Sequence, residues 1–180
     1  TKTVTPKLRK GNPMPRIFET PSGMLNAIGL QNKGIDDFIE HKIPYFRKIK
    51  THLIVNIAGE SIEDFVALAK KLDAEKGVSA LELNISCPNV RKGLAFCAKP
   101  ELTYDVVKAV RETTRLQLFT KLSPEAPDFL GVAEAAIRAG SDALSLINTI
   151  RGMAVDIEKL RPQLANVFGG LSGPAIRPIA

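Results

Sequence analysis

Leu53-Ile-Val-Asn-Ile-Ala58, followed by Gly59-Glu-Ser61 and Ile62-Glu-Asp-Phe65, is the stretch from which the architecture can be read. Six residues without a charge, mostly aliphatic, read as a buried strand with a single amide, Asn56, in it. Gly59 turns the chain. Ser61 then reads as a helix N-cap, with Asp64 three residues on as its capping-box partner. Ile62, Phe65, Val66, Ala69 and Leu72 recur on one helical face, and the helix is expected to run to about Lys76-Gly77.

Outward from this unit the same pattern repeats. Ser79 to Ser86 reads as a strand, and Pro100 to Thr114 as a helix with Leu102, Val106, Val107 and Val110 on one face. Leu116 to Leu122 is the next strand. Phe129 to Ala139 is the next helix, closed by Gly140, and Asp142 to Asn148 is a fourth strand. Strands alternating with one-sided helices predict parallel βαβ units and an α/β fold. The strand tails carry Asn56, Asn84, Lys121 and Asn148. Ligands bind at the carboxyl ends of parallel strands, so four polar tails read as a converging site; turn-forming Asn residues are the alternative. No G-x-G-x-x-G turn supports a dinucleotide fold. A barrel takes about 250 residues, so four or five strands in 180 residues predict a (β/α)8 TIM barrel, truncated at both ends. Thr1-Lys-Thr-Val-Thr5 opens without Met, and Ile176-Arg-Pro-Ile-Ala180 reads as a helix just starting. Residues 1–180 are therefore expected to be the central part of one barrel domain.

Composition narrows the function. With 44% hydrophobic and 24% charged residues the chain reads as globular, and no apolar run approaches a membrane span. The net charge of +6 is scattered and aromatics make up only 6%, which argues against nucleic acid and fits an enzyme that handles anions. Two cysteines, Cys87 and Cys97, lack CxxC spacing, so no metal site or disulfide framework is expected and a reducing cytoplasm is.

Within Leu81-Glu-Leu-Asn-Ile-Ser-Cys-Pro-Asn-Val90, Pro88 ends the strand and leaves the Cys87 thiol on a loop at its mouth. Gly169-Gly-Leu-Ser-Gly-Pro174 reads as a phosphate cradle before a helix or as a flexible connector. Ser22-Gly-Met-Leu-Asn-Ala-Ile-Gly-Leu-Gln-Asn32 is too apolar for a solvent loop and reads as one packed inward, with backbone N–H groups and Asn26 facing a ligand. Lys2 and Lys121 lie in β-like runs, where an anionic ligand would offset their burial; snorkelling to solvent is the other reading.

Taken together, Thr1–Thr5, Gly23–Asn32, Asn84–Val90, Lys121-Leu-Ser-Pro124, Ser145-Leu-Ile-Asn-Thr149 and Gly169–Pro174 resemble dihydroorotate dehydrogenase, in order and in spacing along the whole chain. The cysteine at 87 is similar to the class 1 enzymes, and Asn84 to Phe96 most resemble the NAD-linked class 1B catalytic subunit. The resemblance implies FMN-dependent oxidation of (S)-dihydroorotate to orotate in pyrimidine (UMP) synthesis. It implies Cys87 as the base, and Lys2, Thr3, Asn56, Asn84, Lys121, Ile147 and Gly173 around FMN. Lys2, Asn26, Ala27, Ile28, Gly29, Leu30, Asn84, Asn148 and Thr149 would hold substrate. It further implies a homodimer joined to an electron-transfer subunit with FAD and an iron–sulfur cluster that passes electrons to NAD. This chain has too few cysteines for such a cluster. The pyrimidine-reducing domain of dihydropyrimidine dehydrogenase shares the barrel, FMN and a loop cysteine and is the alternative, as is an inactive partial barrel. Two residues depart from the family. Cys97 replaces a glycine in the loop expected to cover the site, and Glu125 replaces an Asn and is expected to weaken anion binding. Without the first strand and the last βα units the segment is expected to have open sheet edges and to be unstable and inactive alone.

Overall fold

The computed structural model describes residues 1–86, 88–89 and 94–180. A hairpin, β1 (Ile17–Thr20) and β2 (Gly23–Asn26), and two short helical turns, α1 (Ile35–Asp37) and α2 (Ile43–Phe46), precede the repeating units. These run β3 (Leu53–Ile57), α3 (Ile62–Asp73), β4 (Val78–Asn84), a ribbon of β5 (Pro88–Asn89) and β6 (Leu94–Ala95), α4 (Pro100–Arg111), β7 (Gln117–Lys121), α5 (Phe129–Arg138) and β8 (Ala143–Ser145). Four short strands complete the chain: β9 (Ile150–Gly152), β10 (Val155–Asp156), β11 (Arg161–Pro162) and β12 (Gly169–Ser172).

The expected parallel units are present. Strands β3, β4, β7 and β8 pair in that order, all parallel, with α3, α4 and α5 as the crossovers. Leu81, Leu83 and Leu118 of the sheet join Phe65, Leu68, Val106, Val107, Val110 and Val132 of the helices in one core, all essentially inaccessible to solvent. Each such side chain contributes about 1.5–3 kcal/mol by leaving water. Phe65 and Phe96 meet edge to face, their centroids 5.5 Å apart. Thr1–Thr5 adds to the outer edge of β3. Val4 N–H donates to the Asn56 carbonyl at 2.8 Å, Ala58 N–H donates to the Val4 carbonyl at 3.1 Å, and the terminal ammonium reaches the Ile54 carbonyl at 2.9 Å. Closure of this sheet into eight strands is not seen among the described residues.

The caps lie close to where the sequence puts them. Ser61 Oγ accepts from Asp64 N–H at 3.2 Å, but the Asp64 carboxylate accepts in return from Glu60 N–H at 2.9 Å, one residue earlier than a capping box requires. Gly140 takes φ 102° after α5, a backbone that favours glycine. Helix α4 stops at Arg111, short of the expected Thr114, because the Arg111 guanidinium folds over the turn and donates to the carbonyls of Thr114 and Leu116. Strand β8 ends at Ser145 rather than Asn148; the next residues leave the ladder, though Asn148 N–H still donates to the Leu122 carbonyl at 2.9 Å.

Two expected loops are strands. Residues 23–26 form β2, and Gly169–Ser172 forms β12, in an antiparallel sheet of order β1-β2-β12-β9. The Gly169–Gly170 pair is therefore explained by close packing across strands rather than by a phosphate cradle: a Cβ on Gly170 would lie 2.0 Å from Thr149 Oγ1. After Gly173 the chain makes a single 3-10 turn, Pro174–Ile176. No helix among the described residues is long and apolar enough to cross a membrane.

Candidate active site

The antiparallel sheet lies across the carboxyl ends of the parallel strands, and between the two is a cleft of about 830 Å³. Its floor is made by the strand tails: Asn56 of β3, Glu82 and Asn84 of β4, and Lys121 of β7. Asn148 and Thr149, beyond the end of β8, extend the floor. Asn26 through Leu30 form one wall with Gly169 and Gly170 beside them, and Thr1, Lys2 and Thr3 border the cleft from the outer edge of β3. Alternation along the strands explains the convergence. Leu81 and Leu83 point into the core, so Glu82 and Asn84 emerge on the other face, in register with Asn56 and Lys121.

Amides and one carboxylate organise the floor. Glu82 accepts from Asn56 Nδ2, and its other oxygen accepts from Ser145 Oγ at 2.7 Å. Lys121 Nζ stands 3.9 Å from Glu82. Asn148 Nδ2 donates to Asn84 Oδ1 at 3.1 Å and to Ser86 Oγ at 2.9 Å, while Asn148 Oδ1 accepts from Thr149 N–H at 2.8 Å. Asn12 Nδ2 holds the Ala27 carbonyl at 2.9 Å, which shapes the inward wall. Asn56 Oδ1 is buried and has no partner among the described residues.

Of the residues singled out in the sequence, Lys2, Thr3, Asn26, Ala27, Ile28, Gly29, Leu30, Asn56, Asn84, Lys121, Asn148 and Thr149 line this one cleft. Ile147 and Gly173 do not. Gly173 is packed behind the hairpin, where a Cβ would lie 2.7 Å from Gly23 Cα. Cys87 lies outside the described residues; Ser86, directly before it, lines the cleft.

Lys121 does not depend on a ligand alone for a countercharge, because Glu82 supplies one at longer than hydrogen-bond distance. Cys97 is not in a loop over the site. It sits in the 3-10 turn Phe96–Ala98, 5% exposed, its N–H donating to the Ile85 carbonyl at 3.2 Å. Burial pushes its thiol up, the Ser123 hydrogen bond opposes that, and the Glu125 charge adds to it.

Sequence reasoning missed Glu82, Arg9, Asn12, Glu125 as a hydrogen-bonding group, and the Arg151–Phe168 pair. Glu82 was open to the argument made for Lys121, since it is a charge inside an apolar strand. The others depend on remote contacts. Arg151 stacks its guanidinium 4.3 Å over the Phe168 ring, and its N–H donates to Glu125 at 3.1 Å. Among the described residues no group of three or more His, Cys, Asp or Glu could hold a metal ion.

Residues 1–180 match a family model described as dihydroorotate dehydrogenase. The chain is 54% identical over 181 residues to a protein of Geotalea uraniireducens named dihydroorotate dehydrogenase B (NAD(+)), catalytic subunit. It is 53% identical over 180 residues to the protein of that name from Desulforudis audaxviator, and 54% identical over 181 residues to that of Geobacter sulfurreducens. These alignments cover 99–100% of this chain and 59% of each relative, so the chain spans about three fifths of their length. The chain belongs to the dihydroorotate dehydrogenase family.

Proposed function

We propose that this chain carries the FMN and substrate site of a class 1B dihydroorotate dehydrogenase, built on part of a (β/α)8 barrel. The reaction is oxidation of (S)-dihydroorotate to orotate in pyrimidine synthesis. Electrons would pass to NAD through a partner subunit bearing FAD and an iron–sulfur cluster, the catalytic chains forming a homodimer. The observation that carries the reading is the convergence of strand-tail amides, Lys121 and the Asn26–Leu30 wall on one cleft.

The residues present fit a flavin. A cleft of about 830 Å³ has room for a planar cofactor with a substrate beside it. Lys2 and Lys121 supply positive charge, and the orphaned Asn56 Oδ1 suits a donor that the described residues do not provide. When bound, FMN supplies the hydride acceptor that no side chain offers.

The chain's own residues have the remaining work. Making the ring double bond removes a proton from one carbon and a hydride from its neighbour. Cys87 is the proposed base, taking the proton as a thiolate. Lys121 stabilises negative charge developing near its ammonium. Asn84 and Asn148, tied to each other and to Ser86, orient the substrate ring. Backbone N–H groups of Ala27–Leu30 with the Asn26 amide suit the substrate carboxylate.

Because residues 1–180 alone are expected to be inactive, an absorbance spectrum of the full-length protein with added FMN, and then with anaerobic dihydroorotate, tests this. A shifted flavin band that bleaches on substrate is expected. Failure to bind FMN would overturn the reading. Competition by orotate and not by uracil separates it from a dihydropyrimidine dehydrogenase-like site.

A further inference from the structure

Glu82 stands on the cleft face of β4, its side chain 20% exposed, while its neighbours Leu81 and Leu83 enter the core on the other face. Its partners come from three other strands. Asn56 of β3 and Ser145 of β8 donate to it, and Lys121 of β7 stands 3.9 Å away. The backbone ladders already fix the register of these strands, so the side-chain network is not required to align them.

The consequence falls on Asn56. A side-chain amide has a donor end and an acceptor end, and Glu82 captures the donor end. The oxygen is thereby turned away from Glu82, and it is buried without a partner among the described residues. Buried amide oxygens are rarely left unpaired, and an exception at a cleft points to a bond completed by a ligand. Without Glu82, rotation of the amide would let its two ends exchange.

We propose that Glu82 is a positioning residue: it holds Asn56 with its oxygen left to accept a hydrogen bond from a flavin bound in the cleft, and keeps Lys121 beside the same ligand. This role rests on the site being a flavin site, and in it Glu82 touches neither cofactor nor substrate.

Two readouts test it in the full-length protein. The first is FMN affinity by flavin fluorescence. Glu82→Ala is expected to weaken binding about tenfold, the scale of one lost oriented hydrogen bond. Glu82→Gln, whose carbonyl oxygen can still accept from Asn56, is expected to recover most of it. Asn56→Ala added to Glu82→Ala should cost nothing more, because both remove one contact. The exchange Asn56→Asp with Glu82→Gln reverses the bond while leaving an oxygen for the ligand. It should bind FMN more tightly than Asn56→Asp alone, a comparison that holds even if Glu82→Ala does not fold.

The second readout needs no flavin. One Asn56 side-chain amide proton, resolved by NMR, should be shifted downfield in the unsubstituted protein and in Glu82→Gln, and not in Glu82→Ala. Unchanged FMN affinity in Glu82→Ala, additive losses in the double variant, or equal losses for Gln and Ala would overturn the role of Glu82. If the unsubstituted protein fails to bind FMN while the amide shift tracks Glu82, the flavin reading falls and the assignment of this ligand with it.

Discussion

At the scale of single residues, the Cys97 environment decides what its thiol can do. Burial, as the largest cause, pushes its pKa above the ordinary value of 9.0, the Ser123 hydrogen bond pulling down and the Glu125 charge pushing up. The thiolate is the reactive form, so a buried, protonated thiol is suited to packing and not to proton abstraction. The linkage has a definite sign. Below pH 9 both folded and unfolded states hold the proton, whereas above it the unfolded chain releases its proton first, so stability falls as pH rises toward the raised folded value. Thermal denaturation should therefore show the unsubstituted protein losing more stability between about pH 8 and pH 10 than Cys97→Ala does. Parallel curves would remove the effect. In the full-length protein, Cys87→Ala is expected to lower the proposed dihydroorotate oxidation by about 10²–10⁴-fold while FMN stays bound; turnover retained at neutral pH would exclude Cys87 as the base. Cys87 stood out in the sequence because it follows an apolar run and precedes Pro88, and its role as base came from the resemblance. The fate of Cys97 was not, since only packing shows whether a cysteine faces a site or a core.

At the scale of elements, the helices and parallel strands arise from local signals, whereas the antiparallel sheet does not. Ser61 and Gly140 mark helix ends within a few residues of the bonds they satisfy or the turns they permit. Strands β2 and β12 meet across a separation of 144 residues, at Asn26 and Gly170, and each is four residues long. Such short strands carry too few residues for a period to be read, so they resemble loops in sequence. Their fit is nevertheless tight. A Cβ on Gly23 would lie 2.0 Å from the Ser172 carbonyl oxygen, a backbone atom that cannot rotate aside. Gly23→Ala is expected to destabilise the protein by about 1–3 kcal/mol, read as a lowered denaturant midpoint. Because β2 leads directly into the Ala27–Leu30 wall, the same variant should weaken orotate binding. An unchanged midpoint would show that the strands can separate at little cost.

At the scale of the whole molecule, the two faces of the parallel sheet differ. The helices cover one face with a dry core, and the other carries Asn56, Glu82, Asn84, Lys121 and Ser145. With two cysteines the chain cannot hold a four-cysteine cluster, so the proposed passage of electrons to NAD would run through a partner. Co-expressed with a subunit carrying FAD and an iron–sulfur cluster, the full-length protein is expected to sediment as an α₂β₂ assembly; a lone monomer would overturn this. The sequence by itself determined the alternation of strand and helix, the polar strand tails and the membership of the family. These are signals of period and spacing, written in residues close along the chain. Only the tertiary structure decided that β12 is a strand, that Cys97 is buried, and that Glu82 holds Asn56 and Ser145 in one network. Those depend on which remote backbone groups pair and which side chains share a face, and that is set when the strands assemble.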